Sequence, residues 1–155
     1  MKEPVSTYTN LAYAVAGLLL WDIILTPVLI LLCIASGGYH WTKTRLWQKL
    51  DVRAMFLAFG AYMYHFIGTP EAAIFISVAV VLTWVKESDF STEVMIPYMA
   101  LVTFALAGGW VYLPFFALGL LCNIPFLYLD WGKRLTDWLH GFWHILTAIG
   151  FYLMV

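Results

Sequence analysis

The sequence is short of charge. Asp, Glu, Lys and Arg make up 11% of its 155 residues, where a soluble globular domain carries about 25%. So few charges argue against a water-facing surface of ordinary composition. The net charge of −1 gives no basic field to attract a nucleic acid. Cysteine is scarce as well. Cys33 and Cys122 sit in the middle of apolar stretches and read as buried free thiols, with nothing to imply a disulfide. No polar domain, linker, low-complexity run or internal repeat is evident. Near the N-terminus Lys2 is the sole basic residue and no soluble domain follows, so the first apolar run is kept as a span and not as a cleaved signal.

What is abundant is apolar: 63% of the chain is hydrophobic and 18% aromatic. The expected class is therefore an all-α integral membrane protein, a single domain over residues 1–155 built almost entirely of spans. A first apolar run covers 4–20, Trp21-Asp22 interrupts it, and a second covers 23–42. Together they exceed the roughly 20 residues of one span, so two helices with a tight turn near Asp22 are expected. Further spans are expected at 51–67, 71–85, 91–107, 110–128 and 137–155, giving a seven-transmembrane helical bundle. Polar connections separate them: Lys43 to Lys49, Gly68-Thr69-Pro70-Glu71 with its proline and acid at a helix start, Lys86 to Asp89, Gly108-Gly109, and Asp130 to Arg134.

Seven spans sort the basic residues. Lys2, Lys43, Arg45, Lys49, Arg53, Lys86, Lys133 and Arg134 all fall on the side that holds the N-terminus, while the other side carries Asp22 and Glu71. The positive-inside rule then puts the N-terminus in the cytoplasm and the C-terminus outside. Trp41, Trp47, Trp84, Trp131 and Trp138 lie near the inner face, and Trp21 and Trp110 near the outer one, as interfacial belts require. The expected location is a multi-pass one in a prokaryotic plasma membrane.

The chemistry concentrates in two stretches. His140 and His144 are four residues apart in the last span, a spacing that stacks two imidazoles about 5–6 Å apart on one helix face. Ser36 and His40 are likewise one turn apart, and Asp51 follows eleven residues after His40. Four spans lie between His40 and His140, an even number, so His40, Asp51, His140 and His144 share the cytoplasmic half. Polar groups at membrane depth usually face the bundle interior or a water-filled cavity. Three imidazoles suit Zn2+, with a fourth position left for water. Asp51 is placed to orient or deprotonate that water, and Ser36 to hydrogen-bond a developing oxyanion. Asp137 is either an acceptor behind a histidine or, preferably, a residue that stabilises the start of its own helix. His65 reads as packed or interfacial. Arg53 either pairs with a carboxylate on its side or only obeys the inside rule, and Pro97, Pro114 and Pro125 read as kinks.

These motifs resemble the alkaline ceramidase family: S-x3-H at Ser36 and His40, Asp51 eleven residues on, and a final H-x3-H. That family belongs to a superfamily with the adiponectin/progestin receptors, the hemolysin III proteins and the lipid-remodelling proteins of GPI anchors. The text from His140 to Thr147 is similar to the ceramidase HGxWHxLT pattern, and Glu3 and Asn10 resemble a Glu-to-Asn spacing in the ceramidase first span. The resemblance covers all seven spans. It implies zinc on His40, His140 and His144, Ser36 and Asp51 around the reacting carbonyl, and hydrolysis of the amide bond of a ceramide-like membrane lipid. Eukaryotic ceramidases carry an acidic calcium-binding loop ahead of the first span; here Met1 and Lys2 precede Glu3, and the chain is shorter. The cytoplasmic zinc face is closer to the receptor branch. A receptor, sensor or hemolysin III-like protein with a structural zinc is the alternative. A haem or proton-conducting protein comes third, because His140 and His144 share one face instead of opposing each other.

Overall fold

The computed structural model describes residues 2–67, 113–128 and 133–155. Among the described residues every regular element is a helix: α1 (Pro4–Thr9), α2 (Leu11–Leu20), α3 (Leu25–Thr42), α4 (Arg45–Ile67), α5 (Leu113–Tyr128) and α6 (Lys133–Leu153). The spans expected at 71–85 and 91–107, and the connections around 68–71, 86–89, 108–109 and 130–132, lie outside the described residues.

The first apolar run is two helices, not one. Pro4 opens α1, where its fixed φ suits a first helical position. Asn10 then interrupts the run: its side-chain amide donates to the Ser6 carbonyl at 2.7 Å, local competition that makes asparagine poor inside helices. The turn expected near Asp22 is present. Trp21 takes a left-handed conformation (φ 51°), and the Asp22 carboxylate accepts from the Ile24 and Leu25 N–H groups at 2.8 and 2.7 Å. Thr26 ties the turn down by donating to the Gly17 carbonyl at 2.8 Å. Gly17 is where α2 meets α3. A Cβ there would lie 3.1 Å from the Leu29 Cβ and 3.2 Å from the Thr26 carbonyl.

Two helix starts differ from expectation. α4 begins at Arg45, not Asp51, and α6 at Lys133, not 137. Hydropathy marks where the chain becomes apolar. A helix continues past that point through Lys, Arg, Gln and Leu, which are good helix formers. Lys43, left-handed at φ 55°, closes α3 by donating its N–H to the Tyr39 carbonyl at 2.7 Å.

The apolar core gathers Leu25, Leu29 and Leu32 of α3 with Phe56 and Tyr62 of α4. Phe151 of α6 is its hub. The Tyr62 ring stacks on it at 4.8 Å, and Phe59 and Phe116 pack on it at 5.3 and 5.4 Å. The Tyr62 hydroxyl donates to the Phe151 carbonyl at 2.9 Å. Cys33 and Cys122 are free thiols. His65 is exposed, 3.8 Å from the Asp22 carboxylate. Among the described residues one helix, α3, is long and apolar enough to cross a membrane by length and composition.

Replacing Gly17 by valine forces a branched side chain into the α2–α3 contact. Overpacking of this kind costs about 1–3 kcal/mol. The variant should melt at a lower temperature than wild type under the same conditions; an unchanged melting temperature would show that the two helices do not need this close approach.

Candidate metal centre

Three helices converge on one polar cluster inside this apolar assembly. α3 delivers Ser36 and His40 from successive turns near its C-terminal end, α4 delivers Asp51, and α6 delivers His140 and His144; all five side chains are buried. Ser36, His40, Asp51, His140 and His144 line a common cavity of about 70 Å³, walled by Tyr13, Leu32, Met55 and Trp143 among others. The structure thus brings together every residue singled out in the sequence for metal binding and catalysis.

The three histidines can hold one metal ion. One ring nitrogen from each lies within 4.8 Å of the other two, and the ring centroids are 4.7–5.0 Å apart. His140 Nε2 and His40 Nε2 approach to 3.1 Å. Two neutral ring nitrogens that close attract only with a proton or a cation between them. Two nitrogens on a tetrahedral zinc-like ion would be roughly 3.3 Å apart, so the observed separation fits a shared ion.

Hydrogen bonds behind the rings aim the lone pairs inward. His40 Nδ1 lies 2.6 Å from Glu3 Oε2. A carboxylate accepts, so Nδ1 carries the hydrogen and Nε2 faces the cavity with its lone pair. Glu3 is held twice more, by its own N–H donating to the His40 carbonyl at 3.1 Å and by an ion pair with Lys43. Burial alone would raise the Glu3 carboxyl; the hydrogen bonds and charges of His40 and Lys43 outweigh it and hold the group below its usual value. His144 Nδ1 lies 3.1 Å from the Ser6 carbonyl, which can only accept, and 3.2 Å from the Thr9 hydroxyl. Its Nε2 is therefore also free for a metal. Such partners are what hold metal-bound imidazoles in register.

Asp51 and Ser36 complete the cavity. Ser36 and Asp51 line the same cavity, and Asp51 Oδ1 is buried with no hydrogen-bond partner in the protein. A carboxylate oxygen left bare inside a protein is costly. Beside an open cavity it marks a place for a water or a ligand.

Asp137 does something other than stabilise its own helix. Because α6 starts at Lys133, Asp137 is already in the second turn. Its carboxylate accepts from the Ser6 N–H at 2.8 Å, the Ser6 hydroxyl at 2.6 Å and the Val5 N–H at 3.1 Å. It therefore secures α1, not α6. Sequence reasoning also missed Ser6, Thr9, Tyr13 and Lys43. The signal that was available is the polar stripe Glu3, Ser6, Thr9, Asn10 at helical spacing in an otherwise apolar run. Tyr13 hydrogen-bonds Thr147 at 2.6 Å, and the Thr147 hydroxyl in turn donates to the Trp143 carbonyl at 2.7 Å, so the Tyr13 phenol is the donor to Thr147.

No protein-family model, curated protein or solved structure matches this chain. What the centre does is read from its geometry.

Purified protein should carry close to one metal ion per chain, measured by elemental analysis. His140→Ala and His40→Ala should each lose most of it. Full metal retention in both variants would rule the centre out.

Proposed function

We propose that this chain is a zinc-dependent hydrolase of the membrane interior, cleaving the amide bond of a ceramide-like lipid, as the likeness of its motifs to the alkaline ceramidases implies. The observation that carries the reading is Asp51 Oδ1, buried, unpartnered and beside the cavity the three histidines share. A structural zinc site closes itself with four protein ligands. Three histidines would leave a zinc ion short of a fourth protein ligand, and a bare carboxylate oxygen lines the same cavity, able to accept from a water.

His40, His140 and His144 would hold a zinc ion, which would supply a Lewis acid able to lower the pKa of a water to about 7 and to polarise a carbonyl oxygen. Asp51 takes a proton from the attacking water as its oxygen bonds to the carbonyl carbon. Ser36, one turn from His40 and lining the same cavity, donates its hydroxyl to the carbonyl oxygen as negative charge develops there. Asp51 then returns the proton to the amine as the C–N bond breaks, so the products are a fatty acid and a free amine. Leu32, Met55 and Trp143 keep bulk water from the reacting atoms. The cavity accommodates the reacting groups and not a whole lipid, which fits a substrate whose chains stay in the surrounding membrane.

The same proposal takes the fold as a seven-helix membrane bundle with its N-terminus and metal centre on the cytoplasmic side. Its support is the inverted distribution of polarity. Leu11, Val15, Leu18 and Leu19 of α2 and Phe142 of α6 face outward, while Ser6, Asn10, Asp51 and the three histidines are buried. The uneven placement of the basic residues sets the orientation.

If the reading holds, Asp51→Asn keeps its zinc and loses about 10²–10⁴-fold in turnover, and Ser36→Ala loses about 10²–10³-fold. Fatty-acid release from ceramides of several chain lengths, with a zinc chelator as control, measures both. A zinc-loaded wild type that cleaves no lipid, or a fully active zinc-loaded Asp51→Asn, would overturn the hydrolase in favour of a receptor with a structural metal.

Orientation has its own check, in a background lacking Cys33 and Cys122. Trp21, 83% exposed, and Thr44, in the α3–α4 connection, are each replaced by cysteine. An impermeant thiol reagent added outside intact cells should label Trp21→Cys and spare Thr44→Cys; the reverse pattern would invert the topology.

A further inference from the structure

α1 provides no metal ligand, yet it surrounds the metal ligands. The acceptors that face the outer nitrogens of His40 and His144 are Glu3, the Ser6 carbonyl and Thr9, and all three lie on α1 or directly before it. The helix is six residues long. It is too short to be stable alone, and Asn10 separates it from α2. What fixes it is Asp137, whose two carboxylate oxygens take three hydrogen bonds from Val5 and Ser6. Ser6 is thus gripped on one side by Asp137 and, through its carbonyl, holds His144 on the other. Asp137 itself precedes His140 by one turn on α6. The same helix therefore carries two ligands and the anchor of the element that orients one of them.

We infer that Asp137 is a positioning residue of the metal centre: by holding α1 against α6 it places the acceptors that aim the imidazoles of His144 and His40. This rests on the reading that the three histidines bind a metal. It assigns to Asp137 a role that acts through Ser6 and never through contact with the ion. An asparagine there offers an amide nitrogen that cannot accept from the Val5 or Ser6 N–H groups, so the clasp opens on one side. The expected result is a loosely aimed His144 and a metal that leaves faster, with the ligands all still present.

The probe is Co2+, loaded into the full-length chain in detergent. Its visible ligand-field absorption reports ligand geometry, and its transfer to a chelator reports the release rate. Asp137→Asn should release the ion about 10–100-fold faster, the usual range for residues behind a metal ligand, with altered ligand-field bands. Ser6→Ala removes only the hydroxyl bond to Asp137 and keeps the carbonyl on His144; its release rate should fall between wild type and Asp137→Asn. Thr9→Val leaves the clasp intact and removes one contact to His144, and should change the bands without Asp137 being touched. Wild-type bands and release rate in Asp137→Asn would overturn the inference, even with a lowered melting temperature, since a residue that only stabilises the fold would behave that way. If Asp137→Asn does not fold, wild-type behaviour in both Ser6→Ala and Thr9→Val overturns it equally. A wild type that takes up no cobalt refutes the metal centre itself, which is a different failure from a loaded wild type with an indifferent Asp137→Asn.

Discussion

An imidazole binds a metal through one nitrogen only when the other has somewhere to put its hydrogen. In an apolar interior the protein must itself bring the acceptor, as it does for His40 and His144. That requirement explains why the first helix is where it is. Gly141 lies between the two histidines of α6, and a Cβ there would be 3.0 Å from Val5 Cγ1 and 3.1 Å from Thr9 Oγ1. Only without that side chain does α1 lie close enough for the Ser6 carbonyl to reach His144. The break at Asn10 then frees α1 to follow the surface of α6 while α2 follows α3.

The polar atoms at the centre form a connected set, and the set is nearly satisfied. Glu3 is taken up by His40 and Lys43, Asp137 by Val5 and Ser6, Tyr13 by Thr147. Asn10 Oδ1 and Asp51 Oδ1 are both left bare, and of the two Asp51 lines the cavity. A half-satisfied polar network costs more than an apolar core of the same shape, so an unpaired carboxylate oxygen beside three converging imidazoles belongs to chemistry more naturally than to stability.

Much of the centre was legible in the sequence because its ligands obey local rules. Ser36 with His40, and His140 with His144, are one helical turn apart. Asp51 was legible because it follows His40 across a short connection between consecutive helices. The part played by α1 was not, because its bonds join residues far apart: Ser6 and Asp137 are 131 positions distant and Glu3 and His40 are 37. No periodicity encodes such a pair. The helix starts at Arg45 and Lys133 were missed for another reason. Hydropathy reports how apolar a side chain is, and helices outlast their apolar stretch. The same effect leaves α3 as the described helix that most resembles a membrane span, since α4 and α6 carry Asp51, Asp137 and the histidines that lower their apolar character.

The centre also has a history in time. His40 and His140 are 100 positions apart in the chain. At about 5–20 residues per second of synthesis, roughly 5–20 s pass between the making of the first ligand and the making of the second. Throughout that interval Ser36, His40 and Asp51 exist without the helix that completes their surroundings, and α1 exists without the carboxylate that fastens it. The centre therefore assembles only once α6 has been made, and the arrival of α6 completes the ligand set and fastens α1 in one step.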